Sequence, residues 1–550
     1  MCLRLYVNDK LWLCVAAALL SLVWAAPRVE RPLVEVAQGK VLGETRQDHG
    51  MSYLAFEGIP FAKPPTHTLR FKDPEPAEAW EGELDASSLP PPCAQFVLGG
   101  REDCLYLSVY APQNALDTEE PLPVMVFIHG GGFYLGAALN NHGFQPMVAK
   151  GVIVVVMQYR LGVLGFLSTE DPVAPGNLGL KDQTLALRWI KDNIASFSGD
   201  SERITLYGGS AGAASVHYQM LAPPAAGLFS AAILQSGSAL CPFARGRNFL
   251  QAAQKVAARF DCPIEPSELL VTCLQSINFH LLDEMYFTFF EWNVQPFTFA
   301  PRVDGGFLPD EPVTLVREGR FHHVPVMMGI NANEMALQSV EMYADRLLIN
   351  SLESNFEVTG PVSLGLFDDE EPVSTAATIY DYYLGGINLG KENVDSVTQM
   401  FTDGYFSVPH DWLTMLMADQ VPVYTYELQH RGEHGYTNNY LDLGLDLPQA
   451  AKYVSHGDNK QYNTQPGYGK LNTTDDIAVG DFITTTWTNF AKTRNPTPDD
   501  SLALTWEMAT SKNLRHLAIT PAPAMEDDQR AVNRAFWRTL PLRINALMNA

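Results

Sequence analysis

The run over residues 152–159, Val-Ile-Val-Val-Val-Met-Gln-Tyr, restricts the fold of this chain more than any other segment. Its first five residues are all β-branched, and such side chains favour the extended backbone of a strand. A strand with one face in water alternates apolar and polar residues, whereas a strand buried on both faces is almost continuously apolar. The run therefore predicts a buried strand in a parallel sheet.

Similar strand patterns alternate with helical patterns along the chain. Apolar segments typical of strands cover residues 122–129, 204–207, 231–234, 324–329 and 421–428. Helical patterns cover residues 180–194, 213–221 and 476–491. This alternation predicts an α/β fold with a mostly parallel central sheet and helices on both faces. Ligands of such sheets bind at the carboxyl ends of the strands, so we expect functional side chains in loops that follow strands.

One such loop carries the pentapeptide Gly208-Gly-Ser-Ala-Gly212. It lies between the 204–207 strand and the 213–221 helix, which is the setting that the G-x-S-x-G motif of a serine nucleophile requires. The glycines remove side chains that would collide in a sharp turn, and the helix N-terminus presents amides to developing negative charge. We therefore predict that Ser210 is a nucleophile. The alternative is a glycine-rich turn that carries a bystander serine.

A second glycine run, His129-Gly-Gly-Gly132, lies where the 122–129 strand ends. Glycines at such a place let backbone amides approach a bound oxygen without obstruction by side chains. The sequence predicts an oxyanion hole made by the amides of Gly131, Gly132 and Ala211, the last being the residue after the nucleophile. A flexible turn is the alternative. A phosphate loop is disfavoured because no Gly-Lys-Ser/Thr sequence follows.

The acidic partner is expected after the 324–329 strand, because this type of site orders nucleophile, acid and base along the chain. Glu334 is the first carboxylate after that strand, and Glu341 is the next. We predict that Glu334 holds the orientation and tautomer of an imidazole and stabilises its charged form. A solvated loop glutamate is the alternative.

The base is expected among the histidines that follow the 421–428 strand. His430, His434 and His456 all do so, and position alone does not choose among them. His456 lies shortly before the 476–491 helix, where a final core loop should fall.

The first 25 residues have the pattern of an export signal. Arg4 and Lys10 precede an apolar run over residues 11–24, and cleavage after Ala25 suits the small residues there. The run of 14 residues is short for a bilayer, although a signal anchor remains the alternative. We expect a secreted, extracellular protein that has no membrane association after cleavage, with residues 29–545 forming one catalytic domain.

Five cysteines remain after the signal is removed, and an odd number in an exported chain implies pairs plus one free thiol. Two spacings of 11 residues suggest the pairs Cys93–Cys104 and Cys262–Cys273 and leave Cys241 over. Spacing does not fix the connectivity. No CxxC or HExxH accompanies these residues, so no metal site is expected.

The surface is expected to be strongly acidic, since the formal net charge is −25. Binding to nucleic acid or to anionic lipid requires basic patches, so both are disfavoured. The one glycosylation sequon, Asn472-Thr473-Thr474, has polar neighbours, and we expect it in a surface loop. The oligomeric state cannot be deduced from these patterns.

Together, these segments resemble the type B carboxylesterase family over nearly the whole mature chain. The resemblance is carried, in chain order, by residues 56–65 (Phe-Glu-Gly-Ile-Pro-Phe-Ala-Lys-Pro-Pro), 102–107 (Glu-Asp-Cys-Leu-Tyr-Leu), 129–133, 208–212, the spacing from 329 to 334, and 456–457. It implies the α/β-hydrolase fold. It also implies a triad of Ser210, Glu334 and His456, and so selects one of the three histidines.

The resemblance carries further expectations. It implies both disulfides and makes Cys241 a free thiol. It places Ser236 behind the triad and Phe297 in the acyl pocket. The expected activity is two-step hydrolysis of a small-molecule carboxylic ester through an acyl-enzyme, with no metal or organic cofactor.

Two other classes within the family fit less well. Its adhesion proteins keep the fold and lack the triad, whereas all three triad positions are intact here, so a catalytically silent secreted binding protein is disfavoured. Cholinesterases carry a long loop between their first two cysteines, with a tryptophan that cradles choline. Here the loop between Cys93 and Cys104 is short, residues 94–103, and it contains no tryptophan. The sequence therefore lacks that cation–π site.

Arthropod juvenile-hormone esterases are closer candidates. Arg70-Phe71 and Asp182-Gln183 resemble two of their marks. Two positions depart from their pattern, because Gly209 stands where they usually have Gln and Asn459 stands where they usually have an acidic residue. Hydrolysis of terpenoid methyl esters, such as juvenile hormone or methyl farnesoate, is therefore the alternative specificity.

Overall fold

The computed structural model describes residues 31–48, 50–138, 144–463 and 471–550. The expected export signal, residues 1–25, lies outside the described residues. Two cores of buried side chains lie on opposite faces of one large sheet, and a third is formed among the helices that follow residue 335.

Fourteen strands are present in the described residues, and they form a small sheet in the order β1-β2-β5 and a large one in the order β14-β13-β12-β11-β10-β9-β7-β8-β6-β4-β3. The strands are β1 Leu33–Val36, β2 Gly39–Leu42, β3 Glu44–Asp48, β4 Met51–Pro60, β5 Glu83–Asp85, β6 Tyr106–Pro112, β7 Leu122–Ile128, β8 Ile153–Met157, β9 Gly199–Gly209, β10 Ala231–Gln235, β11 Val326–Asn331, β12 Val423–Leu428, β13 His516–Ile519 and β14 Ala524–Glu526.

The centre of the large sheet is parallel, and its edges are antiparallel. All neighbouring pairs from β8 through β7, β9, β10, β11 and β12 to β13 are parallel. The β3–β4, β4–β6, β6–β8 and β13–β14 pairs are antiparallel. The predicted α/β class with a mostly parallel central sheet is confirmed.

Helices fill the six connections from β7 to β13. In chain order they are α1 Gln145–Ala149, α2 Gly162–Phe166, α3 Leu178–Asn193, α4 Ala211–Leu221, α5 Phe249–Arg259, α6 Ser267–Ser276, α7 Phe279–Glu284, α8 Pro312–Arg317, α9 Ala336–Ala344, α10 Arg346–Ser354, α11 Phe356–Ser363, α12 Pro372–Leu384, α13 Val394–Thr402, α14 Val408–Met417, α15 Asn438–Asp442, α16 Lys460–Asn463, α17 Thr474–Thr493, α18 Ala531–Thr539 and α19 Arg543–Asn549.

Helices cover both faces of the sheet because successive side chains of a buried strand point in opposite directions. In β7, Val126 joins a core that also contains Ile190 of α3. Its neighbour Met125 joins the opposite core, together with Trp487 of α17. This explains why the central strands are apolar on both faces.

The boundaries of β8 and of the β9–α4 turn differ from those predicted from the sequence. Strand β9 extends to Gly209, and α4 begins at Ala211 rather than Ala213, so Ser210 alone forms the turn. Strand β8 ends at Met157, and Tyr159 leaves it to stack on His129 with ring centroids 4.4 Å apart. The end of each strand is therefore determined by contacts of the following loop, which the periodicity of side chains along the strand does not reveal.

Within the described residues, no helix combines the length and the hydropathy needed to cross a membrane. The same residues contain no group of three or more metal-binding side chains close enough to hold an ion.

Candidate active site

The carboxyl ends of β9, β10 and β11 meet at one edge of the sheet. Gly209 pairs with Gln235, and Gln235 pairs with Gly329. The loops that follow these three strands therefore begin side by side. They carry Ser210, Ser236 and Glu334.

Ser210 occupies a strained turn, with φ of 60° and ψ of −126°. Non-glycine residues rarely adopt positive φ, and such strain is concentrated at functional sites. Its amide donates to the carbonyl oxygen of Gln235 at 2.9 Å, which fixes the turn to the neighbouring strand. A Cβ at Gly212 would lie 2.1 Å from the carbonyl oxygen of Ile128, so only glycine fits there.

The glycine run after β7 packs directly against this turn. A Cβ on Gly130 would lie 2.4 Å from the carbonyl oxygen of Gly209 and 3.0 Å from the Cβ of Ser210. Gly131 and Gly132 have φ of 113° and 59°. No protein acceptor among the described residues receives a hydrogen bond from the amides of Gly131, Gly132 or Ala211. Three unpaired donors thus lie in two segments that meet beside Ser210.

Glu334 is fully buried, and both of its carboxylate oxygens accept hydrogen bonds. Oε1 accepts from the amide of Asn331 at 2.7 Å. Oε2 accepts from Nδ1 of His456, also at 2.7 Å. A buried carboxylate requires such partners, because an unpaired buried charge is strongly unfavourable.

His456 is attached to Glu334 a second time through the backbone, since its amide donates to the Glu334 carbonyl oxygen at 2.9 Å. Its ring packs against Phe406 with centroids 4.7 Å apart. With Nδ1 donating to the carboxylate, Nε2 is left as the basic nitrogen. No hydrogen bond joins this ring to Ser210 Oγ in the described residues, and catalytic contacts are often long before substrate binds.

His430 and His434, the other two candidates for the base, have partners other than Glu334. His430 Nε2 lies 2.7 Å from Oδ1 of Asp476, at the start of α17. His434 Nε2 lies 3.9 Å from Glu433. Of the three, only His456 contacts Glu334 among the described residues.

Several supporting residues were not predicted from the sequence. Asp458 is buried beside His456 and accepts from the amides of Tyr436 and Ser455. Burial raises the pKa of Asp458 to about 7 against the opposing effect of those amides. The side-chain amide of Asn331 donates to the Ser455 carbonyl oxygen at 2.7 Å. The only sequence signal was the closeness of Asp458 to His456.

The resemblance placed Phe297 in the acyl pocket and Ser236 behind the triad, and the structure gives each of them different neighbours. Phe297 lies beside the glycine run, because a Cβ on Gly132 would approach its ring to 2.7 Å. Ser236 has φ of 57°, and its amide donates to the Gly329 carbonyl oxygen. The Ser236 hydroxyl is buried without a hydrogen-bond partner in the described residues, so it makes no hydrogen bond with the Glu334 carboxylate.

The two charged residues that resembled juvenile-hormone esterases, Arg70 and Asp182, are buried in structural ion pairs. Arg70 holds Glu102 with both ends of its guanidinium and also donates to the Leu274 carbonyl oxygen. Arg160 holds Asp182 with bonds of 2.8 and 2.7 Å. These ion pairs anchor loops to the core. A structural role therefore explains the presence of Arg70 and Asp182, and no contact with substrate is needed to explain it.

Both suggested disulfides, Cys93–Cys104 and Cys262–Cys273, are present, and Cys241 is a buried free thiol. Burial raises the pKa of the Cys241 thiol to about 12, so this group is not a nucleophile at neutral pH. The sequon residue Asn472 is exposed, as a glycosylated asparagine must be.

A cavity of about 140 Å³ is lined in part by Cys241, Trp412 and Trp537, and neither Ser210 nor His456 is among its lining residues. Gly404 also lines it, and Phe406, two residues later, packs on His456. The candidate catalytic side chains therefore do not border this cavity.

The chain is similar to known proteins over most of its length. Residues 30–537 match the profile of the Carboxylesterase family. The chain is similar to venom carboxylesterase-6 of Apis mellifera, with 31% identity over 94% of this chain and 95% of the relative. It is 34% identical to juvenile hormone esterase of Tribolium castaneum over 86% of this chain and 85% of that protein. It is also 33% identical to carboxylesterase 3 of Homo sapiens, over 94% and 92% of the two chains.

Proposed function

The chain belongs to the carboxylesterase family and is a carboxylic ester hydrolase, and from that premise we propose that it acts through an acyl-enzyme on Ser210. His456 is the general base and acid, and Glu334 positions it. The amides of Gly131, Gly132 and Ala211 form the oxyanion hole. The observation that carries the proposal is the 2.7 Å contact between Glu334 and His456, two strands away from the strained serine.

In the first half-reaction, Ser210 Oγ forms a bond to the ester carbonyl carbon while its proton moves to Nε2 of His456. The carbonyl oxygen becomes an oxyanion and accepts hydrogen bonds from the three unpaired amides. Each such donor contributes about 10²–10³ in turnover in related sites. The intermediate then collapses, the bond between carbon and the alcohol oxygen breaks, and His456 gives its proton to the departing alcohol.

In the second half-reaction, water replaces the alcohol. His456 accepts a proton from water as the water oxygen bonds to the acyl carbon. The oxyanion forms in the same place and collapses, the bond to Ser210 Oγ breaks, and the proton returns to the serine. The products are a carboxylic acid and an alcohol, and the groups named here supply every proton transfer.

We propose neutral esters as the substrates, because two aromatic rings border Gly132, one of the proposed oxyanion donors. Phe297 and Tyr134 both lie within 2.7 Å of the Cβ position at Gly132. A terpenoid methyl ester is compatible with these aromatic rings. One relative is also named a juvenile hormone esterase. Arg70 and Asp182 no longer favour that substrate, since their burial in ion pairs explains them.

We also propose that the protein is secreted after removal of residues 1–25, and that residues 29–545 form one domain. Two disulfides support passage through an oxidising compartment. The relative named venom carboxylesterase-6 is consistent with export. Asn472 would then be available for glycosylation.

The proposal is tested by turnover of the purified protein on a soluble aryl acetate. Ser210→Ala should abolish turnover, whereas the matched variant Ser215→Ala on the same helix should retain it. Both variants should show the wild-type circular dichroism spectrum. Normal turnover by a folded Ser210→Ala protein would show that the serine is a bystander.

A further inference from the structure

The segment between Cys93 and Cys104 is a closed hairpin with an apolar tip. The disulfide joins its ends, and the amides of Ala94 and Gln95 donate across it to the carbonyl oxygens of Arg101 and Gly99, both at 2.9 Å. The turn between them consists of Phe96, Val97 and Leu98, which are 60%, 59% and 49% exposed. We call these three residues the hairpin tip. Consecutive apolar side chains this exposed indicate a contact surface.

The hairpin is fixed to the glycine run of the candidate site. The Gln95 side chain donates to the Gly136 carbonyl oxygen at 2.7 Å and accepts from the Gly136 amide at 2.8 Å. A Cβ on Gly136 would in turn lie 2.3 Å from the carbonyl oxygen of Gly130. Two hydrogen bonds thus attach the hairpin to the segment that carries Gly131 and Gly132.

A row of aromatic rings leads from the tip to those amides. Phe96 packs edge-on against Phe287 with centroids 5.0 Å apart. Next to Phe287 is Tyr286, whose ring stacks on Tyr134 at 4.3 Å. Tyr134 lies 5.9 Å from Phe297, and both rings border Gly132. We call these five residues the aromatic row.

We propose that the hairpin tip docks on the surface of a neutral or zwitterionic lipid aggregate, and that the packed aromatic row fixes the candidate site beside that surface, where it meets esters dissolved in the lipid. This inference rests on the proposed ester hydrolysis, and it assigns water-insoluble esters with long hydrocarbon chains as a substrate class. It departs from the sequence-based expectation of no membrane association, because it adds reversible contact with a lipid surface. Transfer of the three tip side chains from water into hydrocarbon supplies the favourable free energy.

The charge of the protein selects the kind of surface. With a net charge of −25, the chain is repelled by anionic lipid. Arg101, at the base of the hairpin, is exposed and is compatible with the phosphates of zwitterionic headgroups. Three side chains on a narrow turn give little area for a protein partner, because stable protein interfaces bury roughly 800 Å² on each side.

The test combines flotation with phosphatidylcholine vesicles and hydrolysis of two esters, a soluble aryl acetate and an emulsified long-chain ester. The tip variant carries Val97→Ser and Leu98→Ser and keeps Phe96, which belongs to the aromatic row. A matched control carries Leu443→Ser and Val532→Ser, two other exposed apolar residues. The tip variant should lose roughly tenfold or more in vesicle binding and in emulsion turnover, with aryl acetate turnover unchanged. The control should match the wild type.

Several results would overturn the inference. Wild-type protein that fails to float with the vesicles, or a tip variant that floats equally well, excludes lipid docking. Equal loss on a monomeric long-chain ester, without loss of flotation, means that the tip contacts single substrate molecules instead. Preference for anionic over zwitterionic vesicles would contradict the charge argument. Flotation of Ser210→Ala tests docking apart from catalysis, so failure of the proposed hydrolysis is recognised separately.

Discussion

Glu334 and His456 are joined by two hydrogen bonds across 122 residues of sequence, one from the imidazole Nδ1 at 2.7 Å and one from the backbone amide at 2.9 Å. The second bond fixes the loop, and the first fixes the ring. Because the loop is held independently, removal of the carboxylate charge should leave the histidine near its place. The chemical and structural roles of Glu334 can therefore be separated by mutation.

Glu334→Gln should lower kcat by about 10³–10⁴ with little change in KM, since an amide cannot stabilise the imidazolium and favours the wrong tautomer. Glu341→Gln, which changes the next carboxylate along the chain, serves as the control and should retain normal kinetics. Steady-state kinetics on a soluble ester measures both. Wild-type kcat in folded Glu334→Gln would remove Glu334 from the site.

Phe297 should limit the size of the acyl group, because its ring borders Gly132. Phe297→Ala should raise the ratio of kcat/KM for a branched acyl ester over an acetyl ester by roughly tenfold or more, as expected for a pocket enlarged by several carbon atoms. Phe321→Ala, at a partly buried ring elsewhere, provides the control. An unchanged ratio would place the acyl group on another side of the serine.

Cysteine counting tests both the disulfides and the removal of the signal. The full chain has seven cysteines, and four of the five in the described residues are paired, so a chain that kept Cys2 and Cys14 reduced would titrate three thiols. Loss of residues 1–25 removes Cys2 and Cys14, so the exported protein should titrate one thiol after unfolding. In the native state that thiol, Cys241, should not react at pH 8, because burial raises its pKa to about 12. Three thiols would indicate a retained signal.

Asp283 should make stability depend on pH. Burial, followed by the charge of Glu102, raises its pKa from 3.8 to about 8, and Oδ2 has no hydrogen-bond partner. The native state therefore binds a proton that the unfolded state loses, so its contribution to the free energy of unfolding falls as pH rises from about 4 to about 8.

Asp283→Asn should abolish this dependence. Its melting temperature should exceed that of the wild type by a margin that grows between about pH 4 and 8 and then remains constant. Asp442→Asn, at an exposed position, controls for the loss of one negative charge. A margin that shrinks as pH rises would mean that the native state stabilises the Asp283 carboxylate.

Local patterns predicted the sheet, the serine turn and the glycine run. The run over residues 152–159 indicated a buried strand because continuous β-branched residues fit little else, and Ile153–Met157 forms one. Chain order pointed to Glu334, which contacts His456 in the structure. These features depend on residues close together in sequence, where periodicity and glycine geometry are informative.

The histidine could not be chosen by position, because the contact that distinguishes His456 from His430 and His434 spans 122 residues. The support from Asp458 and Asn331, and the attachment of Gln95 to Gly136, likewise depend on loops whose paths no local pattern determines. The resemblance to a family selected His456, yet it also suggested a role for Ser236 that no hydrogen bond supports.

The most direct test of the account is to treat the protein with an organophosphate ester and map the adduct by peptide mass spectrometry. The account predicts one stoichiometric adduct, on Ser210, with loss of all esterase activity, and no adduct on folded Ser210→Ala. A stoichiometric adduct on another residue, or equal labelling of Ser210→Ala, would contradict the assignment of Ser210 as the nucleophile.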